Sequence, residues 1–593
     1  MSDYAILTWR PGDDAARGPL KAAKAILKRL GLEGMGVQPG LEVWGSSATP
    51  PSIWLSPTHD GLIVGDVIGR PQAAWTAEPL ACARALCRDV WGRYVAVFRD
   101  AGGAATAMLR DPSGAVEALA WRCEGLTLVA SDLDGLLEAV PPAELAVDWD
   151  LLGRTLVDRL ALAGLCPLRG VVAATPGTVR WLDGTEALAW RPADFARQSL
   201  DDTEETRRGL VGAVDKTISG LARPGARAMA ELSGGLDSSI VAGALVRQSN
   251  LMVVQWLHYF VEDAGADERR YARAAARHLK IEVTEAPKAT FGLDLDALAM
   301  AARSIRPSGA IADAHYDQDI AARARRLGAK QLFTGLAGDT VFLAGGGSLL
   351  AADDYWRRPF WSVGLGPALQ IARRSHKSVW SVWREAQVAR MGWRRPAPAG
   401  ETAHLAAKLR GLGPVGHAWF EGLEDVAPAK ARQVRHLAQQ LLVSGRTARG
   451  QVIELVHPLL AQPVMEMCLS LSARAQTDGG DDRVMAREAF RERLAPEVYG
   501  RRSKGDLGRH YGRAVAEDLP ALRELLLDGC LVQAGLLDPV VLDQLLATET
   551  LIWKGPYREI VEAVILEQWA RSWTRRLGRL SRPAFAERVV QEV

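Results

Sequence analysis

The segment 231–239, Glu-Leu-Ser-Gly-Gly-Leu-Asp-Ser-Ser, combines the residue types that hold a polyphosphate. It lies between a predicted strand and a predicted helix. Two adjacent glycines let the backbone approach an anion, and the loop N–H groups with the helix N-terminus form an anion-binding nest. Three serine hydroxyls can donate hydrogen bonds to phosphate oxygens. A glycine turn followed by a helix cap is the alternative, and the full pattern favours a phosphate loop. The predicted binding set is Ser233, Gly234, Gly235, Leu236, Asp237, Ser238 and Ser239.

Asp237 puts a carboxylate among these phosphate-binding groups. Charge repulsion would disfavour that arrangement unless a cation lies beside it, and Mg²⁺ is commonly held between carboxylates and phosphates. The sequence therefore predicts Asp237 as a magnesium ligand. The segment is not a Walker loop, because the G-K-[ST] ending is absent.

Alternating apolar strands and amphipathic helices surround this loop and predict a parallel sheet. Ligands collect at the carboxyl ends of the strands in such sheets. Gly335 and Asp339 follow the strand that closes the predicted set, so they are further candidates for the site. The strands are predicted at 228–232, 252–260, 280–285 and 330–334, and the helices at 238–248, 267–279 and 316–327.

The predicted secondary structure differs on either side of this α/β region. Short strand-like runs between Gly, Asp and Pro turns fill the chain up to about residue 200, and mostly helical patterns follow residue 351. We predict an α/β protein with one domain over 1–200 and a second over 201–593.

Composition narrows the class of protein. The 593 residues are 48% hydrophobic and 24% charged, which predicts a chain able to bury large cores. The formal net charge of +2 argues against a general nucleic-acid binder. Six cysteines without C-x-x-C spacing predict free thiols in a reducing compartment. No signal peptide and no long apolar run is present, so we predict a cytoplasmic protein without a membrane span.

The loop resembles the pyrophosphate loop of the N-type ATP pyrophosphatases, and in particular that of the asparagine synthetase family. This resemblance implies an adenine-nucleotide α-hydrolase-like synthetase domain that uses ATP and Mg²⁺. In that family a carboxylate attacks the α-phosphorus of ATP, pyrophosphate leaves, and an amine then displaces AMP.

The segment 334–339 resembles the family's G-x-G-x-D element, which implies Asp339 as a second magnesium-binding carboxylate. Ala337 replaces a glycine of that element. Leu336 stands where asparagine synthetases carry Glu and β-lactam synthetases carry Tyr. A leucine cannot accept a proton from an amine, so it argues against either named reaction, and the sequence does not reveal the base.

Weaker similarities lie further along the chain. Asp267–Glu268 opens a predicted helix as in relatives, although a capping acid would look the same. His457–Leu459 and Asp482–Arg483 match a buried Pro-Leu turn and a basic residue of the family. The segment 502–505 resembles the family's R-x-K-G stretch, which implies Lys504 as a catalytic residue that stabilises charge on the adenylate.

Residues 110–114 and 130–133 resemble the glutaminase-type domain of glutamine-dependent asparagine synthetases. Those enzymes need a cysteine after the initiator Met as the nucleophile. Here that position is Ser2, and the family's Asn-Gly stretch is missing near 61–65. The resemblance therefore implies a degenerate glutaminase-like α+β domain of the Ntn type, and a substrate that brings its own amine.

This chain resembles the lasso-peptide cyclases, which are macrolactam synthetases, in three features. Its first domain lacks the glutaminase nucleophile, its 334–339 segment has neither the Glu nor the Tyr, and its C-terminal part is long and helical. The implied substrate is a precursor core peptide released by a leader-peptide protease, with no nucleic-acid or membrane partner. An Asp or Glu side chain would be adenylated, and the α-amine would close the ring. Five tryptophans indicate either packing anchors or a peptide groove. They are Trp356, Trp361, Trp380, Trp383 and Trp393.

Three other interpretations stay open at this point. One is a β-lactam-synthetase-type or other small-molecule amide ligase on the same fold. Another is an inactive scaffold subunit, against which the intact phosphate loop argues. The third is an ATP pyrophosphatase that modifies nucleic acid, which the near-neutral charge disfavours.

Overall fold

The structure is a computed structural model, and the residues it describes form a mixed α/β fold with a five-stranded parallel sheet. It describes residues 3–46, 50–56, 60–70, 78–262, 267–288, 293–308, 314–359, 364–391, 403–443, 447–478, 482–502 and 508–580.

Two six-stranded antiparallel sheets make up the front part of the chain. Their orders are β10-β8-β9-β1-β3-β2 and β12-β11-β7-β6-β5-β4. The strands are Tyr4–Trp9 (β1), Leu32–Gln38 (β2), Leu41–Ser46 (β3), Ile53–Leu55 (β4), Gly61–Gly69 (β5), Val90–Arg99 (β6), Ala105–Arg110 (β7), Leu119–Cys123 (β8), Leu126–Ala130 (β9), Val172–Ala173 (β10), Thr178–Trp181 (β11) and Glu186–Leu188 (β12).

The two sheets pack face to face, and helices cover their outer faces. Strand β6 shows why, since it is buried on both faces. Val95 and Val97 pack in the core between the sheets, whereas Tyr94 and Phe98 pack in a second core outside them. The helices of this part are Arg17–Arg29 (α1), Pro79–Asp89 (α2), Asp134–Ala139 (α3), Trp149–Val157 (α4), Pro192–Ala196 (α5) and Glu204–Leu221 (α6).

The parallel sheet has the order β15-β14-β13-β16-β17. Every predicted element between 228 and 334 is present, with ends that differ by up to three residues. The prediction that 330–334 closes the sheet was wrong, because Glu454–Val456 adds a fifth strand beside it. The strands are Arg227–Glu231 (β13), Met252–Phe260 (β14), Val283–Pro287 (β15), Gln331–Phe333 (β16) and Glu454–Val456 (β17).

The helices that flank and follow this sheet account for most of the remaining chain, as the sequence predicts. They are Leu236–Leu245 (α7), Arg269–Leu279 (α8), Leu295–Ala301 (α9), Ala314–Leu327 (α10), Gly338–Val341 (α11), Ser348–Tyr355 (α12), Gly366–Ser375 (α13), Val379–Arg390 (α14), Pro428–Gln440 (α15), Gln462–Ser470 (α16), Ala473–Thr477 (α17), Val484–Ala489 (α18), Pro496–Tyr499 (α19), Gly508–Glu517 (α20), Leu519–Leu527 (α21), Cys530–Gln533 (α22), Pro539–Leu545 (α23), Thr548–Lys554 (α24) and Tyr557–Leu580 (α25). Short 3-10 helices lie at Asp14–Ala16, Arg159–Ala163, Ala418–Phe420, Leu423–Asp425, Leu441–Val443, Pro458–Leu460 and Arg491–Arg493.

The order of the parallel strands creates a crevice between β13 and β16. The chain moves outward from β13 through β14 to β15, and then returns to the other side of β13 with β16 and β17. The connections from β13 and β16 therefore diverge, and their carboxyl ends leave an opening. The phosphate loop and the 334–339 segment both start there.

Buried ion pairs join the front sheets to the parallel sheet. Glu454 pairs with Arg93 at 2.9 Å and with Arg223 at 2.8 Å, and Asp66 pairs with both arginines. Burial would raise the pKa of Glu454, but the two guanidiniums hold it at about 2. The junction is therefore lined by charged side chains that neutralise one another around a cavity of about 20 Å³.

No helix among the described residues has the length and apolar character to cross a lipid bilayer. All six cysteines are free, as predicted.

Candidate functional site

A cavity of about 700 Å³ opens at the crevice between β13 and β16. Its volume falls in the range of small-ligand sites. Seven of the predicted residues line it: Ser233, Gly235, Leu236, Asp237, Ser238, Gly335 and Asp339. Gly234 and Ser239 do not.

The loop conformation depends on Gly234. Its φ is +75°, and a Cβ there would lie 2.4 Å from the backbone N of Ala272. The Ser233 and Ser238 hydroxyl oxygens lie 3.0 Å apart beside the cavity. Ser239 instead donates to the carbonyl of Gly235 at 2.8 Å and is 1% exposed. Ser239 therefore stabilises the first turn of α7 and does not face the cavity, unlike Ser233 and Ser238.

The phosphate loop and the 334–339 segment are in close contact at two glycines. A Cβ on Gly335 would lie 2.6 Å from the backbone N of Ser238. A Cβ on Gly338 would lie 2.2 Å from the carboxyl carbon of Asp237. Since any larger side chain would push the loops apart, these two glycines permit Asp237 and Asp339 to lie on facing walls of one cavity.

Ala337 occupies the position where the resembled element has a glycine, and it has a φ of +69°. An L-residue in this left-handed region costs roughly 1–2 kcal/mol. The local conformation of the element is therefore kept at an energetic cost.

We predict that Ala337→Gly stabilises the protein by roughly 0.5–1 kcal/mol, because relief of the left-handed strain outweighs the greater entropy of unfolded glycine. The midpoint of urea denaturation should rise. The control Ala322→Gly, on the exposed face of α10, should lower the free energy of unfolding by about 1 kcal/mol and therefore lower the midpoint. A lower midpoint for Ala337→Gly would contradict this account.

Arg483 joins Asp237 and Asp339 within the cavity. Its Nη1 donates to Asp237 Oδ2 at 3.1 Å and to Asp339 Oδ1. Its Nη2 lies 2.7 Å from Asp482 Oδ2. Burial alone would lower the pKa of Arg483, but the three carboxylates raise it. The cation that charge repulsion demands beside Asp237 is here a guanidinium.

The same residues fit a magnesium ion. Two carboxylates converge on one point, in a cradle that a Cβ on Gly338 would fill. Mg²⁺ is typically bound by one or two carboxylates together with substrate phosphates and water. The described residues contain no cluster of three or more acidic, histidine or cysteine ligands, so phosphate oxygens and water would complete the shell. The assignment of Asp237 and Asp339 as metal ligands stays a prediction.

Three further arginines line the cavity, and we refer to them as the arginine wall: Arg487, Arg501 and Arg502. Arg501 binds Glu268, donates to the carbonyl of Gly234 at 3.4 Å and stacks on Tyr271 at 4.1 Å. It thereby connects the loop to the start of α8. Lys504 follows Arg502 by two positions in the sequence and lies outside the described residues.

A carboxylate and a phenol form a pair at another part of the cavity. Tyr316 donates its hydroxyl hydrogen to Glu231 Oε1, and both residues line the cavity. Burial and the neighbouring Glu231 raise the pKa of Tyr316 well above its usual value. Arg449 lies over the Tyr316 ring at 4.8 Å and 3.8 Å from Glu231.

His457 also lines the cavity, but its chemistry is restricted. Its Nδ1 is hydrogen-bonded to the Thr334 hydroxyl at 2.7 Å. Burial, with Arg449 and Arg93 adding to it, lowers the pKa of His457 to about 3. A neutral imidazole with such a low pKa is a weak base and orients the end of β16 instead.

The front-domain segments singled out in the sequence stabilise turns. Buried Arg110 donates to the carbonyls of Val116 and Gly114, each at 2.7 Å. The Asp111 carboxylate accepts from the backbone N–H of Tyr94 at 3.1 Å. Ser2 lies outside the described residues.

Sequence reasoning missed Glu231, Tyr316 and Arg449. A signal existed for the first of these, since an acidic residue follows the apolar residues 228–230 directly before the phosphate loop. No local pattern indicated the other two, because α10 and the segment before β17 reach the cavity only through the fold.

The comparisons with known proteins agree with this geometry. Residues 208–571 match the family model described as Asparagine synthase, which is more than half of the chain. The chain therefore belongs to the asparagine synthase family. It is an ATP-dependent carbon–nitrogen ligase, as the sequence predicts. No curated protein sequence gives a match.

Two solved structures show a distant likeness. One is described as the allosteric regulatory enzyme of purine biosynthesis: identity is 10%, the match covers 48% of this chain and 80% of that one, and the TM-score is 0.18. The other is glutamine phosphoribosylpyrophosphate amidotransferase from B. subtilis, with 9% identity, coverage of 56% and 81%, and a TM-score of 0.17. Scores of this size carry no information about the fold or activity of this chain.

Proposed function

We propose that this ligase adenylates a side-chain carboxylate of a precursor peptide and closes a macrolactam with the peptide's α-amine. The observation that carries the proposal is the single cavity that combines a phosphate loop, two converging acidic groups and an arginine wall. These groups are needed to bind a nucleoside triphosphate and to stabilise the pyrophosphate that leaves.

The residues divide the first step between them. Ser233, Ser238 and the backbone of Gly235 hold phosphate oxygens, and the arginine wall offsets the charge of the leaving pyrophosphate. Mg²⁺ bound by Asp237 and Asp339 would offset part of the negative charge of the triphosphate. The substrate carboxylate oxygen bonds to the α-phosphorus as the bond to pyrophosphate breaks, and Lys504 is proposed to stabilise the adenylate.

The second step needs an acceptor for the amine proton. Among the acidic groups of the cavity, three carboxylates are bound to Arg483, and Glu268 is bound to Arg501. The remaining carboxylate is Glu231, which accepts from Tyr316 and has its arginine, Arg449, at the longer distance of 3.8 Å. We assign the proton to Glu231, directly or through the Tyr316 hydroxyl, while the amine attacks the acyl carbon and AMP leaves with the bonding electrons.

The source of the amine follows from two observations. Leu336 lines the cavity and supplies no polar group where ammonia or a small amine would be oriented. The junction with the front sheets is lined by the Glu454 ion pairs and leaves a cavity of only about 20 Å³. Both features support a substrate that carries its own amine, and a front domain that is a degenerate glutaminase-like unit within 1–200.

The helical region that follows α11 supports a peptide substrate. Trp380 on α14 is 65% exposed, and Leu365, directly before α13, and Leu369, within α13, are also exposed. Exposed aromatic and aliphatic groups favour a peptide partner over a small amino acid derivative. Trp361 and Trp393 lie outside the described residues. A leader-peptide protease that supplies the peptide remains part of the proposal.

ATP–pyrophosphate exchange tests the proposed function. We expect exchange that depends on peptides with a free N-terminus and an internal Asp or Glu, and a product lighter by one water. The matched control is the same peptide with Asn or Gln at that position. Exchange only with a small amino acid derivative would favour a β-lactam-type ligase. Absence of both ATP binding and exchange would favour an inactive scaffold.

A further inference from the structure

A second cavity, of about 620 Å³, lies between the C-terminal helix α25 and the end of α9. It shares no lining residue with the ATP-site cavity. Five arginines and a glutamine are prominent in its walls: Arg303, Arg571, Arg575, Arg576, Arg579 and Gln568. We refer to this cavity as the arginine groove.

Three of the five guanidiniums are held by acidic partners. Arg576 pairs with Glu138 at 2.7 Å and with Asp134, which also accepts from Arg303. Arg571 pairs with the buried Glu567 at 2.6 Å. These contacts fix one wall of the groove through carboxylates of the protein itself.

The other two arginines have no such partner. Arg575 and Arg579 are exposed, and in the described parts of the chain no carboxylate lies within 4.0 Å of either guanidinium. Five arginines against three carboxylates leave two positive charges in one concave surface. A concavity that concentrates one sign of charge attracts an oppositely charged ligand.

The spacing of the arginines indicates the shape of that ligand. Arg571, Arg575 and Arg579 recur every four residues on α25, so they share one face at intervals of about 6 Å. Alternate side chains of an extended peptide are roughly 6.6 Å apart. A smaller cavity of about 260 Å³ adjoins the groove and shares Arg571 and Arg575, and Asp528 lines the rest of it together with neutral residues. An extended acidic segment matches this surface better than a single small anion.

The lining residues favour carboxylates over nucleic acid. Single-stranded nucleic acids are typically held by aromatic side chains on which bases stack, and the groove lining contains none. The net charge of the chain is only +2. Arginine pairs with carboxylates through two parallel hydrogen bonds, and Gln568 adds a neutral donor.

From these features we propose that the arginine groove binds an extended acidic segment of a partner polypeptide, with Arg575 and Arg579 as the residues that bind its carboxylates. The groove is separate from the ATP site, so this proposal does not depend on the identity of the ligase substrate.

Fluorescence anisotropy with a labelled peptide in which Glu and Ser alternate tests the proposal. The full-length protein should bind it at least tenfold more tightly than the matched peptide with Gln for Glu, and added salt should weaken binding. The double variant Arg575→Gln/Arg579→Gln should lose roughly tenfold or more in affinity, a change of about 1.4 kcal/mol. ATP–pyrophosphate exchange, a readout of the other cavity, should stay unchanged in this variant.

The control variant Arg325→Gln/Arg326→Gln removes two exposed arginines of α10 and the same charge. It should bind the acidic peptide as the unmodified protein does. Equal losses of peptide affinity in both variants would show that the effect comes from net charge alone, and would overturn the proposal. So would failure of the unmodified protein to prefer the Glu peptide, or tighter binding of a single-stranded RNA of the same charge that the groove variant also loses.

Discussion

Asp237→Asn is expected to lower the rate of ATP–pyrophosphate exchange on the order of 10²–10³-fold. The substitution keeps the shape of the side chain but removes the charge that faces Asp339 across the cavity. If the two carboxylates hold Mg²⁺, the concentration of Mg²⁺ needed for half-maximal exchange should also rise. Calorimetry should show weaker binding of ATP in the presence of Mg²⁺, a measurement that needs no carboxylate substrate.

The fold should survive this change. Arg483 loses one acidic partner and retains Asp339 and Asp482, so we expect a stability loss of roughly 1–3 kcal/mol. The control Asp150→Asn removes an exposed carboxylate from the first turn of α4 and should leave exchange and ATP affinity unchanged. A folded Asp237→Asn enzyme with normal exchange and an unaltered Mg²⁺ requirement would refute the phosphate-site assignment.

Glu231→Gln is expected to separate the two chemical steps. Because Glu231 is assigned to the proton of the attacking amine, peptide-dependent exchange should persist, whereas amide formation should fall by on the order of 10²–10⁴-fold. Glutamine can still accept the hydrogen bond from Tyr316, so the local geometry is preserved. Mass spectrometry of the product alongside exchange measures both steps on one sample.

Hydroxylamine, used in place of the peptide amine, gives a second test of the role of Glu231. It is uncharged at neutral pH and needs no base to attack an acyl adenylate, so Glu231→Gln should still form the hydroxamate. The control Glu285→Gln removes a carboxylate in β15 that pairs with Arg273 at 2.6 Å, and it should retain both steps. Loss of exchange in Glu231→Gln would instead place Glu231 in nucleotide binding.

Comparison of the phosphate loop with the rest of the site shows which features sequence patterns can reveal. The loop is contiguous, and its glycines, serines and acid follow directly from what a phosphate ligand needs. Six of its seven predicted members, residues 233–238, lie together at the start of α7. Ser239 differs because a hydroxyl on the first turn of a helix can also bond to a backbone carbonyl, and sequence does not show which partner it takes.

The parts of the cavity outside the phosphate loop could not be predicted in the same way. Arg483 lies 246 residues from Asp237 along the chain, and Tyr316 lies 85 residues from Glu231. Nothing local to either residue determines that contact. From the repulsion between Asp237 and phosphate, the sequence predicted a metal ion beside this carboxylate. The structure shows that the Arg483 guanidinium, which binds both Asp237 and Asp339, is a cation at this place.

The amino-acid sequence by itself determined the chemistry of the phosphate loop, the parallel α/β pattern around it and the family, because each depends on residues near one another in the chain. Only the tertiary structure decided which arginines and carboxylates complete the cavity, that a short fifth strand at Glu454–Val456 closes the sheet, and that Arg575 and Arg579 share a groove with Arg303. These features depend on contacts between distant segments, and such contacts form only when the helices and strands bury their apolar faces together.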